Sequence, residues 1–558
     1  MPTGAELFVE AAKRLGIDTI FTLVGDHLNE VLGEVARAGL RIVDLRHESG
    51  VTHAADAWAR IYRRPALALV TGGPGHTNAL TGIATAHLAG SPLIAVSGSR
   101  PRALVAKQAF QDIDQVAMTR PVVKWAAEVA DAGQIPSCLA RAYETADSER
   151  KGAVHLTIPV DVFREFCSAG PLVGSGWPAL RLHAVQGTAL GLRTVDLLRT
   201  ADRPVAIAGS GVWWAGAEDA LRRFIEHTSI PLYTITMARG AVSDDHPLVM
   251  GYADPALNRA AAAALREADL VLVIGKRIDY RLAFGGARLF AADARFIQID
   301  IHAEEFECNR PVNVAIHADA REALETLTEA AGPVPWPERP WLVRVRALRC
   351  AWQASLEHAA DDRSSPMHPA AFFRELRRAL PRGALYSWDG GDFVHWGRAM
   401  IPALHSGGWL RLGPLGTIGS ALPNSLALQM AHAGRPVAMI TGDGALGFYL
   451  AEMDSLVRHG LPLVIIVGND AGWGLERELQ SFATNGTPTI ACELRASRYD
   501  LVMQAFGGGG ETVERLEEVR PAVERAFAAG VPYCINARVR GVRSPFTEWQ
   551  IEGKAAAR

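Results

Sequence analysis

The stretch GDGALGFYLAEMDSLVRHGLPLVIIVGND, residues 442–470, decides how the last third of the chain folds. It opens with Asp443 between two glycines, continues through an amphipathic segment that predicts one helix over residues 445–460, and closes an aliphatic run with Asp470. The aliphatic runs before the two acids are typical of neighbouring buried strands in a parallel sheet. Both acids would then lie at the carboxyl edge of that sheet, where ligands of such folds bind.

Two acids at one sheet edge indicate a metal site. Mg²⁺ prefers carboxylate and carbonyl oxygens and completes its shell with phosphate oxygens. The glycines beside Asp443 let the backbone turn sharply and approach a bulky anion. We interpret Asp443 and Asp470, with the glycine-rich stretch 471–474 that follows, as a magnesium diphosphate clamp. The alternative is that Gly-Asp-Gly is only a turn and Asn-Asp only a helix cap.

Aliphatic runs and helical patterns also alternate along the rest of the chain, which predicts an α/β protein of three consecutive parallel-sheet domains. The domains are predicted over residues 1–168, 185–331 and 365–540, followed by a tail over 541–558. Linkers rich in Pro and Gly are predicted at 169–180 and 332–341. The aliphatic runs are TIFTLVG (19–25), ALALVTGG (66–73), PLIAVSGS (92–99), AVHLTIPVD (153–161), PVAIAGSG (204–211), LVLVIGKR (270–277), ARFIQIDI (294–301), PVAMITGDG (436–444), LPLVIIVGND (461–470) and PYCINARV (532–539).

The amino-acid composition limits the partners and the cellular location that can be expected for the protein. Of the 558 residues, 49% are hydrophobic and 21% charged, and the formal net charge is −3. This balance gives no reason to expect nucleic acid or a membrane as a partner, so small molecules and further copies of the chain are expected. The six cysteines form no CxxC pair, the N-terminus lacks the apolar core of a signal peptide, and no apolar run is long enough to cross a membrane. We therefore expect a cytoplasmic protein with reduced cysteines.

The stretch 442–470 resembles the diphosphate-binding motif of thiamine diphosphate enzymes, in which Gly-Asp-Gly is followed some two dozen residues later by Asn-Asn. The resemblance implies three α/β domains of that family's type, with thiamine diphosphate and Mg²⁺ as cofactors. It implies that Asp443, Asp470 and the main-chain carbonyl of Gly472 bind the metal, and that the cofactor also contacts Gly442, Gly444, Ala445 and Trp473. Asp470 stands where the family usually has asparagine, which adds a negative charge beside the diphosphate.

The sequence VDLRHESGVTHAADAWARI, residues 43–61, resembles the segment that carries the family's catalytic glutamate. The match places Glu48, at a strand end before a helix, where that glutamate bonds the aminopyrimidine ring and activates the cofactor. The stretch 71–99 resembles the same domain nearly throughout. Taken alone, an acid after a strand is more often only a neighbour of a helix N-cap.

The stretch RLGPLGTIGSALPNSLAL, residues 411–428, resembles the segment that bends the cofactor. Ile418 would form the apolar wedge under the two rings, where methionine is common, and the carbonyl of Gly416 would accept a bond from the amino group. The alternative is a glycine-rich packing turn. Because Glu48 belongs to the first domain and the clamp to the third, the resemblance implies sites assembled across a subunit interface, in a homodimer at least and in a homotetramer by expectation.

The middle domain carries no catalytic motif. AIAGSGVWWAG, residues 206–216, contains only a short Gly-x-Gly turn, which is usually structural. In the branch of the family that handles coenzyme A this domain holds an adenine nucleotide such as ADP, and the stretches 275–285 and 296–305 resemble the edge of that site. The resemblance makes candidates of Gly209, Arg277 and Asp300, and the alternative is surface loops and helix caps.

Three features resemble 2-hydroxyacyl-CoA lyases, above all the actinobacterial lyases that cleave 2-hydroxyisobutyryl-CoA. The loop AFQDIDQV (109–116) resembles theirs, although acetolactate synthases share it, and ELRASRYDLVMQAFGGGG (493–510) resembles their C-terminal segment. The tail 541–558 stands where a lid closes over coenzyme A in such enzymes, and the alternative is a frayed terminus. The substrate-pocket residues that the resemblance implies are Val24, Gly25, Phe110 and Gln111.

The resemblance makes Glu493 the base that removes the proton of the substrate's 2-hydroxyl, with Gln111 as a further catalytic residue, whereas Glu493 could equally be a solvated loop acid. The expected reaction is the reversible cleavage of a 2-hydroxyacyl-CoA, in particular 2-hydroxyisobutyryl-CoA, to a ketone or aldehyde such as acetone and to formyl-CoA. One alternative is an enzyme similar to acetolactate synthase or a decarboxylase of 2-oxo acids or oxalyl-CoA. Another is a non-catalytic relative that binds thiamine diphosphate.

Overall fold

The computed structural model describes residues 1–167, 188–486 and 488–556. Within them the chain forms three six-stranded sheets one after another, and all the paired strands are parallel. The predicted fold class of three consecutive parallel-sheet α/β domains is confirmed. The predicted linker 169–180 lies outside the described residues, and the domain boundaries stay a prediction.

The first sheet has the strand order β2-β1-β3-β4-β6-β5. Successive residues of its strands, such as Ile20 and Phe21, belong to two different hydrophobic clusters, so both faces of the sheet are covered. The strands are Thr19–Thr22 (β1), Arg41–Asp44 (β2), Ala66–Val70 (β3), Leu93–Ser99 (β4), Ala126–Glu128 (β5) and Val154–Pro159 (β6). The helices are Gly4–Arg14 (α1), Asn29–Arg37 (α2), Glu48–Tyr62 (α3), Pro74–Ala89 (α4), Gln115–Thr119 (α5), Ile135–Asp147 (α6) and Val160–Arg164 (α7).

The second sheet has the strand order β12-β11-β10-β7-β8-β9. Its strands are Pro204–Ala208 (β7), Leu232–Thr234 (β8), Val249–Tyr252 (β9), Leu270–Ile274 (β10), Arg295–Asp300 (β11) and Val314–His317 (β12). Its helices are Thr188–Thr200 (α8), Ser210–Trp214 (α9), Glu218–Thr228 (α10), Arg259–Glu267 (α11) and Ala320–Ala330 (α12). The predicted linker 332–341 runs directly into a further helix, Pro340–Ala359 (α13), whose first-turn proline suits a helix start.

The third sheet has the strand order β14-β13-β15-β16-β18-β17. Its strands are Leu385–Trp388 (β13), Trp409–Arg411 (β14), Val437–Gly442 (β15), Val464–Asn469 (β16), Gly509–Val513 (β17) and Tyr533–Arg538 (β18). Its helices are Pro369–Ala379 (α14), Asp392–Met400 (α15), Ala421–Ala431 (α16), Asp443–Leu446 (α17), Glu452–Arg458 (α18), Gly474–Ala483 (α19), Tyr499–Ala505 (α20) and Leu516–Ala528 (α21), and the tail forms Pro545–Ala556 (α22).

The first and third domains share one hydrophobic cluster. Ala54 of α3 belongs to the same buried cluster as Leu422 and Leu426 of α16, and both helices are buried along most of their length. This packing fixes the start of α3, and therefore Glu48, relative to the third domain of the same chain. None of the helices in the described ranges is both long and apolar enough to cross a membrane.

The prediction of one helix over 445–460 is wrong. The segment is α17, then a 3₁₀ turn over Gly447–Tyr449, then α18. The tight turn brings Phe448 against the loop before α16, where a Cβ added to Gly419 would lie 2.6 Å from the Phe448 Cβ. The segment still has the hydrophobic periodicity of a single helix, because the residues on either side of the turn have helical backbone angles.

Helix α3 is held against α4 by a close contact that we expect to be sensitive to one methyl group. A Cβ added to Gly82 would lie 2.7 Å from the Thr52 Cβ, and Thr52 itself bonds the main chain of Glu48. Gly82→Ala should therefore destabilise the protein by about 1–3 kcal/mol, although alanine favours helices. The midpoint of thermal unfolding measures this.

Gly33→Ala is the matched control, since Gly33 also lies inside a helix but a Cβ there would meet nothing within 4 Å. This variant should be as stable as the wild type or more stable by up to about 1 kcal/mol. Equal shifts of the two midpoints would show that α3 and α4 are not closely packed at Gly82.

Candidate active site

The two acids of the predicted clamp meet where β15 and β16 end. These strands are neighbours, with Gly442 paired to Gly468, so Asp443 at the start of α17 faces Asp470 after β16. Asp443 is 2% exposed, and its Oδ2 accepts the Gly472 N–H at 3.1 Å. The structure therefore brings together the three residues predicted as metal ligands.

The two buried carboxylates of Asp443 and Asp470 favour the binding of a cation. Burial, and then the negative charge of Asp470, raise the pKa of Asp443 to about 7. Burial also raises the pKa of Asp470, opposed by the nearby Arg477 guanidinium. Two facing carboxylates and a main-chain carbonyl offer the hard oxygen ligands that Mg²⁺ prefers. Among the described residues no group of three or more His, Cys, Asp or Glu is arranged so that it could hold a metal ion, so phosphate and water oxygens would have to complete the shell.

A cleft lined by glycines lies beside the two acids. Gly442, Gly444, Ala445 and Trp473 line it, and a Cβ added to Gly444 would lie 2.8 Å from the Trp473 ring. A side chain at this position would collide with the Trp473 ring, so glycine lets the chain turn close beside this ring. The residues predicted to contact the diphosphate thus form one surface with the metal ligands.

The wedge segment borders the same cleft. Ile418 lines it, and the Ile418 Cγ2 would lie 3.0 Å from a Cβ added to Gly390. Gly416 has a positive φ of 76°, which glycine tolerates best. The Gly419 N–H donates to Asp389 Oδ1 at 2.8 Å, which ties the segment to the end of β13.

Asp389 was not predicted as a site residue. Besides the wedge segment, it accepts a bond from Thr441 Oγ1 at 3.1 Å, at the end of β15, and burial raises its pKa to about 6. A sequence signal was available, because SWDGGD, residues 387–392, repeats the pattern of an acid followed by glycine after a buried strand. Asp389 therefore fixes the distance between the wedge and the clamp.

Glu48 begins α3 at the carboxyl edge of the first sheet. Its side chain is buried, and Asn78 Nδ2 donates to Glu48 Oε2 at 2.9 Å. A Cβ added to Gly75 would lie 3.3 Å from Glu48 Oε1, so the first turn of α4 closes around the carboxyl group. Asn78 was not predicted, although it lies in the stretch 71–99 that resembles the family.

The predicted pocket residues surround the same edge. A Cβ added to Gly25, which follows β1, would lie 2.5 Å from the Thr71 Cβ, and one added to Gly73 would lie 2.7 Å from the Gln111 Cβ. The loop 109–116 therefore sits over the turn between β3 and α4. Val24 is 67% exposed and Phe110 is 82% exposed in the single chain.

Within one chain the two halves of the predicted site are separate. Among the described residues, all that line the diphosphate cleft lie between 369 and 542, and none belongs to the first domain. Glu48, Gln111 and Phe110 therefore do not face Asp443 across this cleft.

The third domain nevertheless holds the helix that carries Glu48. Glu452 is buried, and both of its carboxylate oxygens accept the Arg46 N–H at 3.1 Å, just before α3. Ser49 and Tyr449 bond through their hydroxyls. Neither contact was predicted, because the partners are about 400 residues apart and Glu452 lies in an ordinary amphipathic pattern.

Glu493 lies beside the metal ligands. Its backbone forms an antiparallel bridge with Gly472, and the flanking Leu494 N–H donates to Ala471 O at 2.8 Å. Its carboxylate is 3.7 Å from Arg477 and its side chain is 68% exposed in the single chain. The loop thus brings an acid close to Gly472 and Arg477, although Glu493 is not one of the described residues that line the cleft.

The middle domain contains a large cavity of about 1200 Å³. Arg277 and Asp300 line it, and burial raises the pKa of Asp300 to about 6. Gly209 does not line it but makes the turn before Ser210, with Lys276 so close that a Cβ on Gly209 would lie 2.5 Å from the Lys276 Cβ. The cavity also reaches the first and third domains.

The described part of the tail is docked rather than frayed. Asp392, which lines the diphosphate cleft, accepts bonds from the Ser544 N–H and hydroxyl and from the Thr547 hydroxyl. Trp549 packs under the Arg288 guanidinium at 4.0 Å. Arg259 forms an ion pair with Glu552 at 3.0 Å. The tail thus bridges the third and middle domains.

Comparison with known proteins agrees with this architecture. Residues 2–118 match the family described as "Thiamine pyrophosphate enzyme, N-terminal TPP binding domain", residues 192–327 match "Thiamine pyrophosphate enzyme, central domain", and residues 389–537 match "Thiamine pyrophosphate enzyme, C-terminal TPP binding domain". The chain therefore belongs to the thiamine pyrophosphate, or thiamine diphosphate, enzymes. The family predicted from the sequence is confirmed, and two of the three matching family descriptions name a domain that binds this cofactor, which supports thiamine diphosphate as the cofactor here.

Relatives with different reactions align along nearly the whole chain. An acetolactate synthase large subunit of Mycobacterium tuberculosis is 37% identical over 95% of this chain and 94% of its own length. 2-Hydroxyacyl-CoA lyase 1 of Mus musculus is 29% identical over 94% and 92%. Oxalyl-CoA decarboxylase of Escherichia coli is 29% identical over 96% and 94%. The protein is thus a thiamine diphosphate-dependent enzyme related to synthases, lyases and decarboxylases, and the family alone does not define its substrate.

The raised pKa of Asp443 predicts a pH dependence of metal binding. Mg²⁺ needs the deprotonated carboxylate, so at fixed thiamine diphosphate its affinity should be about tenfold weaker at pH 6 than at pH 8. Asp470→Asn removes the charge that helps to raise the pKa of Asp443 and should move this dependence to lower pH. Calorimetric titration of Mg²⁺ into the wild type and into Asp470→Asn at each pH measures this dependence. Protonation of the diphosphate affects both proteins equally and therefore does not contribute to the difference between them. Superimposable pH profiles would contradict the coupling of the two acids.

Proposed function

We propose that the protein is a thiamine diphosphate- and Mg²⁺-dependent lyase that cleaves 2-hydroxyacyl-CoA, in particular 2-hydroxyisobutyryl-CoA, reversibly to acetone and formyl-CoA. The observation that carries the proposal is Glu493, an acid whose backbone pairs with that of Gly472, one of the predicted metal ligands. Relatives named 2-hydroxyacyl-CoA lyase align along nearly the whole chain, which supports a coenzyme A thioester as substrate.

The residues that would hold the cofactor fit their roles. Asp443, Asp470 and the carbonyl of Gly472 would bind Mg²⁺, and the glycine cleft would accept the diphosphate between Gly442 and Trp473. Gly416 and Ile418 would contact the two rings. When bound, thiamine diphosphate supplies the carbon nucleophile and electron sink that cleavage of the substrate's C1–C2 bond needs.

A complete site would need two chains. Glu48 and the loop 109–116 would face the clamp of a second copy, because the cleft of one chain contains only third-domain residues among those described. The exposed Phe110 and Val24 support this arrangement, since an interface would cover them. We therefore propose a homodimer as the smallest active form, and a homotetramer as the expected one.

Two glutamates would divide the proton transfers. Glu48, oriented by Asn78, would hold the proton at the aminopyrimidine ring. Glu493 would take the proton of the 2-hydroxyl as the C1–C2 bond breaks and the C2 oxygen becomes the carbonyl of acetone. One proton returns to C1, so that acetone and formyl-CoA together contain all the atoms of the substrate. Gln111 and Phe110 would border the 2-substituents.

The proposal extends to the outer parts of the molecule. The middle cavity would take an adenine nucleotide such as ADP, with Arg277 and Asp300 on its wall. The docked tail 541–558 would act as a lid over coenzyme A, supported by its contact with Asp392 at the edge of the diphosphate cleft. A cytoplasmic location, where acyl-CoA thioesters occur, is part of the same proposal.

The direct test is to incubate the purified protein with thiamine diphosphate, Mg²⁺ and 2-hydroxyisobutyryl-CoA. Acetone and formyl-CoA, followed by mass spectrometry, should appear together and should be lost in Glu48→Gln. If neither product appears while carbon dioxide is released from pyruvate or oxalyl-CoA, the lyase assignment is wrong.

The role of Glu493 has its own test. Glu493→Gln should lower kcat for cleavage by about 10²–10⁴-fold, the usual range for loss of a general base, with unchanged binding of thiamine diphosphate. Glu524→Gln is the matched control, an exposed acid of the same domain that pairs only with Arg520 in the described contacts. Cleavage by Glu493→Gln at the wild-type rate would exclude Glu493 as the base.

A second candidate function is an acetolactate synthase-like reaction or the decarboxylation of a 2-oxo acid. The observation that favours it is the 37% identity to an acetolactate synthase large subunit, higher than that to the lyases. Such an enzyme would release carbon dioxide from a free 2-oxo acid without coenzyme A. It should keep its activity after removal of residues 541–558, whereas the proposed lyase should lose affinity for acyl-CoA.

A further inference from the structure

Asp470 has a close positively charged partner. Arg477 Nη2 donates to Asp470 Oδ2 at 2.8 Å, and both side chains are largely buried. Helix α19 sets this geometry, because the Arg477 N–H bonds the Trp473 carbonyl at 2.8 Å and so anchors the residue in the first turn. The acid that departs from the family's asparagine is therefore part of an ion pair.

Three glycines enclose this ion pair. A Cβ added to Gly472 would lie 2.6 Å from Arg477 Nη2, one added to Gly474 would lie 2.7 Å from Asp470 Oδ2, and one added to Gly541 would lie 2.8 Å from the same oxygen. The metal-site loop, the start of α19 and the start of the tail thus leave room for the guanidinium and the carboxylate only. The pair is a packed feature of the site and not a mobile surface contact.

The pairing uses one oxygen of Asp470 and leaves the other for the metal. Arg477 holds Oδ2, and the carboxyl group of Asp470 also contacts Asp443. An asparagine offers a metal one oxygen and no charge. With Arg477 counted, Asp443 and Asp470 carry a net charge of one negative unit, as an aspartate and an asparagine would.

We propose that Arg477 is a positioning residue that makes Asp470 act as a single-oxygen ligand without added charge, in place of the family's asparagine. Arg477 prevents Asp470 from binding the metal with both oxygens and offsets its repulsion of the diphosphate. This selects Mg²⁺, which binds carboxylates through one oxygen in a tight octahedron, over Ca²⁺, which accepts both oxygens. The weaker contact with Glu493, at 3.7 Å, leaves the guanidinium chiefly with Asp470.

A double-mutant cycle on the full chain tests this proposal without measuring turnover. Calorimetry gives the dissociation constants of Mg²⁺ and of Ca²⁺ at fixed thiamine diphosphate for the wild type, Arg477→Gln, Asp470→Asn and the double variant. Arg477→Gln should weaken Mg²⁺ binding about tenfold, because the unpaired carboxylate repels the diphosphate whose oxygens complete the metal's shell, and this loss exceeds the added attraction for the metal. It should also reduce the preference for Mg²⁺ over Ca²⁺, since Oδ2 becomes available.

The double variant decides the outcome. Asp470→Asn alone leaves the guanidinium unpaired beside the metal and should also weaken binding, whereas Arg477→Gln with Asp470→Asn should return to within about threefold of the wild type, as expected for coupled neighbours. Arg477→Lys, which keeps the charge, should retain most of the affinity. Arg520→Gln, an exposed arginine of the same domain paired with Glu524, should change nothing.

Additive losses in the double variant, or an unchanged Mg²⁺ to Ca²⁺ ratio in Arg477→Gln, would overturn the proposal and leave Arg477 as a purely structural residue. If Arg477→Gln fails to fold, the proposal still requires that Asp470→Asn restore both folding and binding to it. Failure of that rescue would equally overturn it. Because only cofactor and metal binding are measured, the result does not depend on which substrate the enzyme cleaves.

Discussion

The structure depends on two carboxylates that are brought face to face at the ends of neighbouring strands. Asp443 and Asp470 are fixed there by the parallel pairing of β15 and β16, and burial makes their shared negative charge unfavourable without a cation. The glycines around them let the Trp473 ring, the Arg477 guanidinium and the Asp470 carboxylate lie close against the backbone. The Arg477 guanidinium offsets part of the charge. A metal and a diphosphate would offset the rest, so cofactor binding follows from the way this edge of the sheet is built.

The other predicted catalytic residue, Glu48, lies at the edge of the first sheet. The third domain of the same chain holds the helix that carries it. The helix that begins at Glu48 packs on α16 and is held at its start by Glu452, both from the third domain of the same chain. Yet the described residues lining the diphosphate cleft include none from the first domain. Each chain thus positions Glu48 away from its own cleft, which supports the proposed site between two copies.

Much of the fold and of the candidate site could be predicted from the sequence. The features that were not predicted were missed for physical reasons. Central strands such as β10 and β16 are buried on both faces and leave continuous aliphatic runs, whereas the six edge strands are short or partly exposed and leave none; they are β2, β5, β9, β12, β14 and β17. The acids at strand ends were predicted because a local pattern carries them. Glu452 was missed because its role depends on a partner about 400 residues away in the chain. Asp389 was missed although SWDGGD carries the same local pattern, because its role of joining the wedge to the clamp depends on contacts between separate segments.

The central claim is that each active site combines Glu48 of one chain with Asp443 of another. It is tested most directly by mixing Glu48→Gln with Asp443→Asn subunits and measuring exchange of the C2 proton of thiamine diphosphate, which requires both halves but no substrate. Each variant alone should be silent. Random mixing should restore about a quarter of the wild-type sites, since half of the dimers contain one intact pair. No restoration after confirmed subunit exchange would contradict the account and place both halves in one chain.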